Sequence, residues 1–162
     1  MNITVQQPFD LSVSLESGQA FRWQRQGLWY LGVIYGNLVK VRQDNLGLEF
    51  YSWPENEEFF VSHLRSYFRL DDKFDLILRE INKDHFMSRV ISRYHGLRLL
   101  RQETWECLVA FICSATSNIP RISSTMKILA STFGRPLVFK EHTQYTFPEA
   151  EKLATIGEST LR

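Results

Sequence analysis

The chain has 162 residues, of which 44% are hydrophobic and 14% aromatic, and a formal net charge of +1. That supports one medium domain, or two small subdomains sharing a core, burying roughly 70% of the surface exposed by the unfolded chain. No apolar run of about 18 residues exists to span a bilayer, and MNITVQQPFD lacks the basic and apolar regions of a secretory signal, which points to a cytoplasmic or nucleoid location.

The first 54 residues alternate with period two, in five short runs. Phe9, Leu11, Val13 and Leu15 share one face of the first run. AFRWQR (20–25), LWYLGVIY (28–35) and NLVKVRQ (37–43) follow, and Leu46, Leu48 and Phe50 mark the fifth. Gln26-Gly27, Gly36-Asn37 and Asp44-Asn45 are turn signals between them, so an antiparallel meander is expected.

After Trp53-Pro54 the period becomes 3.6. Pro54 suits a first helical turn, Glu55, Glu57 and Glu58 suit a helix N-terminus, and Phe60, Leu64, Tyr67 and Phe68 form an apolar stripe. Asp71 or Asp72 is expected to cap a second helix with Phe74, Ile77, Leu78 and Ile81 inward. Asp84 caps a third, carrying Phe86, Val90, Ile91 and Tyr94 and ending near Gly96. A fourth over 103–116 presents Trp105, Leu108, Val109 and Ile112. The fifth, from Pro120 to Gly134, presents Ile122, Met126, Leu129 and Phe133. Pro148 opens a sixth with Leu153 and Ala154, and GESTLR (157–162) reads as the opening of a further element. Strands first and helices after define an α+β chain with segregated layers.

Charge is unevenly spread. Residues 85–140 carry eight basic and two acidic groups, whereas 55–84 carry five and eight. Such asymmetry suits a phosphate-facing patch, and it suits a solvated helix face equally well. Cys107 and Cys113 fall on different faces of one helix, a spacing of neither a disulfide framework nor a zinc site. With His63, His85, His95 and His142 scattered, no metal and no cofactor are expected.

Three segments are more specific when taken together: SGQAFRW (17–23) with Trp29, Gly32 and Val33 after it, GLRLLRQETWECL (96–108) and FICSATSNIPRI (111–122). In order and separation they resemble the N-terminal domain and first helices of the 8-oxoguanine DNA glycosylase/lyase family. The resemblance implies a TATA-binding-protein-like antiparallel sheet domain with flanking helices over 1–83. The start of a helix-hairpin-helix glycosylase domain is implied over 84–162. It also implies base-excision repair of duplex DNA containing oxidised guanine, by a protein that is monomeric at full length.

Site residues follow from the same resemblance. The family glycine matching Gly18 offers its carbonyl to the N7–H of the oxidised guanine, whereas normal guanine presents a lone pair there. Taken alone, Gly18 also fits a bulge or tight turn. The segment Ser114–Arg121 reads as an exposed interhelical turn. In the family this turn enters the gap left by the flipped base, and Arg121 matches the arginine that contacts the orphaned cytosine. A surface ion pair is the other reading of Arg121. Asn118 keeps the last of a run of asparagines found in animal members, while Thr116, shorter and with one hydroxyl, replaces the gap-filling one. Arg98 and Arg101 are expected to pair with Glu103 or Glu106, and Phe111 is expected in the core.

The family attacks the sugar C1′ with a lysine amine, assisted by an aspartate, and then eliminates through the Schiff base. No motif here matches those residues or the hairpin that grips DNA. They are expected beyond Arg162, Lys127, Lys140 and Lys152 are not assigned, and the chain alone is expected to be inactive. Two alternatives stand beside this reading, an alkylated-base glycosylase of the same superfamily and a non-enzymatic DNA-binding module.

Overall fold

The computed structural model describes residues 1–161, together with all side chains among them except those of Ser159 and Leu161. A five-stranded antiparallel sheet has the order β1-β5-β4-β3-β2. Its strands are β1 (Asn2–Thr4), β2 (Gln24–Gln26), β3 (Trp29–Ile34), β4 (Asn37–Asp44) and β5 (Gly47–Trp53). Asp44 shapes the β4–β5 turn, its carboxylate accepting from the Leu46 and Gly47 amides at 2.8 and 3.1 Å. That turn holds Leu46 in solvent, 77% exposed, rather than on the face of Leu48 and Phe50.

Two expectations about the sheet fail. The alternating Phe9–Leu15 run is not a strand, because Leu11–Glu16 forms helix α1. Asp10 caps it by accepting from the Val13 amide at 2.9 Å. Leu11, Ser14 and Leu15 are buried, the i, i+3, i+4 set of a helix, which short period-two alternation cannot exclude. The place of a fifth strand is taken by the short β1, whose Ile3 lies opposite Leu48. Of AFRWQR only the last residues join the sheet, as β2.

Helix α2 (Glu57–Tyr67) begins after its cap Asn56, so Pro54 and Glu55 precede it. It lays Phe60 and Leu64 on the sheet, where they join Ile3, Leu11, Val39, Val41, Phe50 and Phe68 in the main core. Helix α3 (Phe74–Ile81) starts at Lys73 without a side-chain cap, neither Asp71 nor Asp72 serving. Instead Asp72 pairs with Arg69 at 2.5 Å, and the Phe74 amide donates to the Gln7 side chain. Helix α4 (His85–Arg93) has its expected Asp84 cap. Phe74 is buried, while Ile77, Leu78 and Ile81 meet Val90 and Ile91 around an open apolar cavity of about 290 Å³.

The chain then returns to the sheet domain as an extended strap. Leu100 enters the main core, and Arg98, 1% exposed, lies inside it. Beyond the strap come α5 (Thr104–Ser114) and α6 (Ile119–Phe133), followed by a hairpin that the periodicity did not reveal, β6 (Pro136–Phe139) with β7 (His142–Tyr145). Helices α7 (Ala150–Thr155) and α8 (Glu158–Leu161) complete the described residues. Val109, Ala110, Ile122 and Met126 form the small α5–α6 core. No helix among the described residues is long and apolar enough to cross a membrane.

Candidate nucleic-acid interface

The SGQAFRW segment follows α1 and is fastened at three points. Gln19 Nε2 donates to the carbonyls of Ser14 and Arg98 at 3.0 and 2.8 Å, and its Oε1 accepts from the Leu100 amide at 2.8 Å. Arg22 forks onto Glu106 at 2.6 and 2.7 Å and donates to the Tyr145 carbonyl. Trp23 donates from its indole to the Tyr67 hydroxyl at 3.0 Å. Its ring lies over Gly32, where a Cβ would come within 2.6 Å of it, so the small residue makes room for the large one.

Gly18 immediately precedes these anchors, with φ +83°, a left-handed conformation that disfavours any side chain. It therefore terminates α1 rather than a strand. Among the described residues no hydrogen bond reaches its carbonyl oxygen, which is left as an available acceptor.

The α5–α6 connection is the exposed polar turn expected for Ser114–Arg121. Thr116 holds φ +58° and donates its hydroxyl to the Ala115 carbonyl at 2.7 Å. Asn118 caps α6, its Oδ1 accepting from the Arg121 amide at 3.0 Å. Its side-chain oxygen thus has a structural duty at the helix start. Arg121 is exposed, and among the described residues its guanidinium forms no ion pair, so the surface-pair alternative has no support.

Folding brings these two segments together across about a hundred residues. A Cβ at position 18 would lie 2.8 Å from Ile119 Cδ1 in the first turn of α6. Ser123 donates its hydroxyl to the Phe21 carbonyl at 2.7 Å, and the Phe21 ring packs into the α5–α6 core. Gly18 and the Thr116–Asn118–Arg121 turn therefore occupy one neighbourhood of the surface.

Other expectations are revised. Arg98 pairs with neither glutamate: it donates to the Pro8 and Arg69 carbonyls and lies 3.7 Å above the Phe74 ring. Arg101 approaches Asp72 at 3.7 Å, Glu103 accepts from the Tyr35 amide, and Glu106 belongs to Arg22. Helix periodicity within 98–106 could not reveal these long-range partners. Phe111 is 76% exposed rather than core, because α5 turns its Val109–Ala110 face inward instead.

The basic excess of 85–140 is partly consumed. Arg98 is interior, and Arg135 and Arg101 have acidic partners; Arg89, Arg93, Arg121, Lys127 and Lys140 stay exposed, Arg121 and Lys127 of them on α6. Burial pushes the Cys113 thiol up, away from a reactive thiolate. Sequence reasoning missed Gln19, Arg22 and Ser123. Gln19 and Arg22 lay inside the quoted motif, whereas nothing in the sequence marked Ser123.

An α+β sheet layer leading into a helical pair of this arrangement is the fold of DNA glycosylase/lyases. It superposes on MBOgg1, solved in complex with a low-affinity DNA ligand, with TM-score 0.87 and 35% identity, over 94% of this chain and 53% of that one. The 8-oxoguanine glycosylase/lyase of Clostridium acetobutylicum, solved with duplex DNA containing cytosine opposite 8-oxoguanine, gives TM-score 0.87 at 28% identity. That match covers 99% of this chain and 58% of the other. The family described as 8-oxoguanine DNA glycosylase, N-terminal domain, matches residues 1–108, and the chain belongs to it. The N-glycosylase/DNA lyase of Saccharomyces cerevisiae is 32% identical over 91% of the chain. This chain spans 43% of that relative's length.

Proposed function

We propose that this chain is the lesion-reading front portion of a bifunctional DNA glycosylase/AP lyase that removes 8-oxoguanine from duplex DNA, acting in the compartment that holds the DNA. Residues 1–83 form the sheet domain and 84–162 begin the helical glycosylase domain, with the 97–102 strap reaching back to the first. The observation that carries the reading is the unengaged Gly18 carbonyl beside the Thr116–Arg121 turn. A carbonyl can accept only where the base presents a proton, so it favours the N7–H of the oxidised purine and repels the N7 lone pair of guanine. Arg121, with a free fork of donors, contacts the acceptors of the abandoned cytosine. Asn118 holds the turn, and Thr116 occupies the gap-filling position.

Membership of the 8-oxoguanine family favours this reading over an alkylated-base enzyme or a non-enzymatic module. The lysine and aspartate chemistry lies outside the matched motifs, so the 162-residue chain by itself should give no borohydride-trapped adduct with an 8-oxoguanine duplex.

The test uses a protein of the full length of its relatives and single-turnover excision of 8-oxoguanine opposite each of the four bases, beside an abasic-site control. Gly18→Ala forces a side chain into a left-handed position against Ile119 and should slow lesion excision roughly ten- to a hundred-fold relative to abasic-site cleavage. Arg121→Ala should instead flatten the opposite-base preference. Equal losses on lesion and abasic duplexes for Gly18→Ala would reduce the glycine to a fold-maintaining role.

A further inference from the structure

We propose that Ser123 is a positioning residue that locks the lesion-reading loop to the helix carrying Arg121. This rests on the functional reading above. A serine or threonine inside a helix ordinarily returns its hydroxyl to a carbonyl of its own preceding turn. On α6, Thr125 does so with the Arg121 carbonyl at 3.0 Å and Ser131 with that of Ile128 at 3.1 Å. Ser123 instead leaves its helix and donates to the Phe21 carbonyl at 2.7 Å, a link between residues 102 apart in sequence.

The link reinforces a second contact on the same helix face. Positions 119 and 123 are four apart and adjacent on α6. Ile119 lies against Gly18, and Ser123 holds Phe21, whose ring is wedged among Val109, Ala110, Ile122 and Met126. The loop is tied to α1 and to the strap through Gln19 and to α6 through Ser123. One rigid helix thus presents Arg121 to the abandoned base and fixes, from behind, the segment whose Gly18 carbonyl reads the flipped base. Ser123 touches neither base and acts only through the Phe21 carbonyl.

The consequence is that the alignment of Gly18 depends on a hydroxyl on the other domain segment. In the full-length protein, Ser123→Ala should slow single-turnover excision of 8-oxoguanine opposite cytosine roughly three- to ten-fold relative to abasic-site cleavage, the worth of one hydrogen bond. Ser123→Thr, which keeps a hydroxyl on the same Cβ, should recover most of that ratio. An unchanged ratio in Ser123→Ala, an equal fall on both duplexes, or no recovery with threonine would each overturn the assignment. If the unsubstituted protein excises no 8-oxoguanine, the underlying functional reading fails instead, and the two failures are told apart by that control.

Discussion

Phe60 on α2 and Phe111 on α5 both lie on helices facing an apolar core, yet Phe60 is fully buried and Phe111 is 76% exposed. The sheet half builds one large core: α2 supplies Phe60 and Leu64, α1 supplies Leu11 and Leu15, and the strap adds Leu100, while α2 keeps Phe59 on its outer face. The α5–α6 half has a core of only four buried residues, Val109, Ala110, Ile122 and Met126, and leaves Leu108, Phe111, Ile112 and Ile128 in contact with solvent. Stability is therefore concentrated in the first region, and the second offers its surface. The proposed DNA-facing residues draw on both regions: Thr116, Asn118 and Arg121 lie exposed in the second, while Gly18 follows α1 in the first.

The contrast can be broken by truncating the two phenylalanines. Phe60→Ala should cost about 3–5 kcal/mol, the combined loss of transfer energy and cavity formation in a close-packed core. Phe111→Ala should change stability by less than about 0.5 kcal/mol, as for other exposed sites. Urea unfolding of the two variants beside the parent protein measures both, and comparable losses would erase the distinction between the regions.

A smaller effect sharpens the view of the exposed turn. Thr116 is β-branched and sits at φ +58°, a region that asparagine tolerates far better. Thr116→Asn should stabilise the protein by about 0.5–1 kcal/mol by relieving that mismatch. It should also strengthen the preference for cytosine opposite the lesion. A lower unfolding midpoint together with an unchanged base preference would contradict this account.

The least disruptive change lies at the junction of the two regions. Burial pushes the Glu103 carboxyl above its ordinary value, opposed by the Tyr35 amide that donates to it, with Glu106 raising it further and Arg22 lowering it. The folded state therefore keeps this proton to higher pH than the unfolded chain does. Its contribution to stability is greatest below the ordinary carboxylate range and declines as pH rises through the raised folded value. Glu103→Gln retains an acceptor for Tyr35 and should lessen that decline, which unfolding midpoints measured from acid to neutral pH would register. A parallel decline in parent and variant would refute the assignment.

Much of the fold was legible in residue order. The 28–53 meander, the Phe60–Leu64–Phe68 stripe, the Asp84 cap and the α6 boundaries all follow from local pattern, because each is set by neighbours within a few residues. The Phe9–Leu15 run was misread because four alternating apolar residues satisfy both periods over so short a span. The β6–β7 hairpin escaped because its strands are only four residues long. At the candidate site, Gly18, Thr116, Asn118 and Arg121 were visible through motif resemblance. The Arg22–Glu106 pair and the partners of Arg98 were not, since their contacts span tens of residues.

The sequence by itself determined the family, the order of sheet and helices, and the residue types present at the candidate site. Helical and strand periods are local, and motif order survives in the chain. Only the tertiary structure decided that Gly18 meets Ile119, that Ser123 leaves its own helix for Phe21, and that Arg98 is a core residue rather than a surface partner of a glutamate. Those outcomes depend on how a buried polar group finds a partner once distant segments have packed, and at such separations no periodicity specifies the choice.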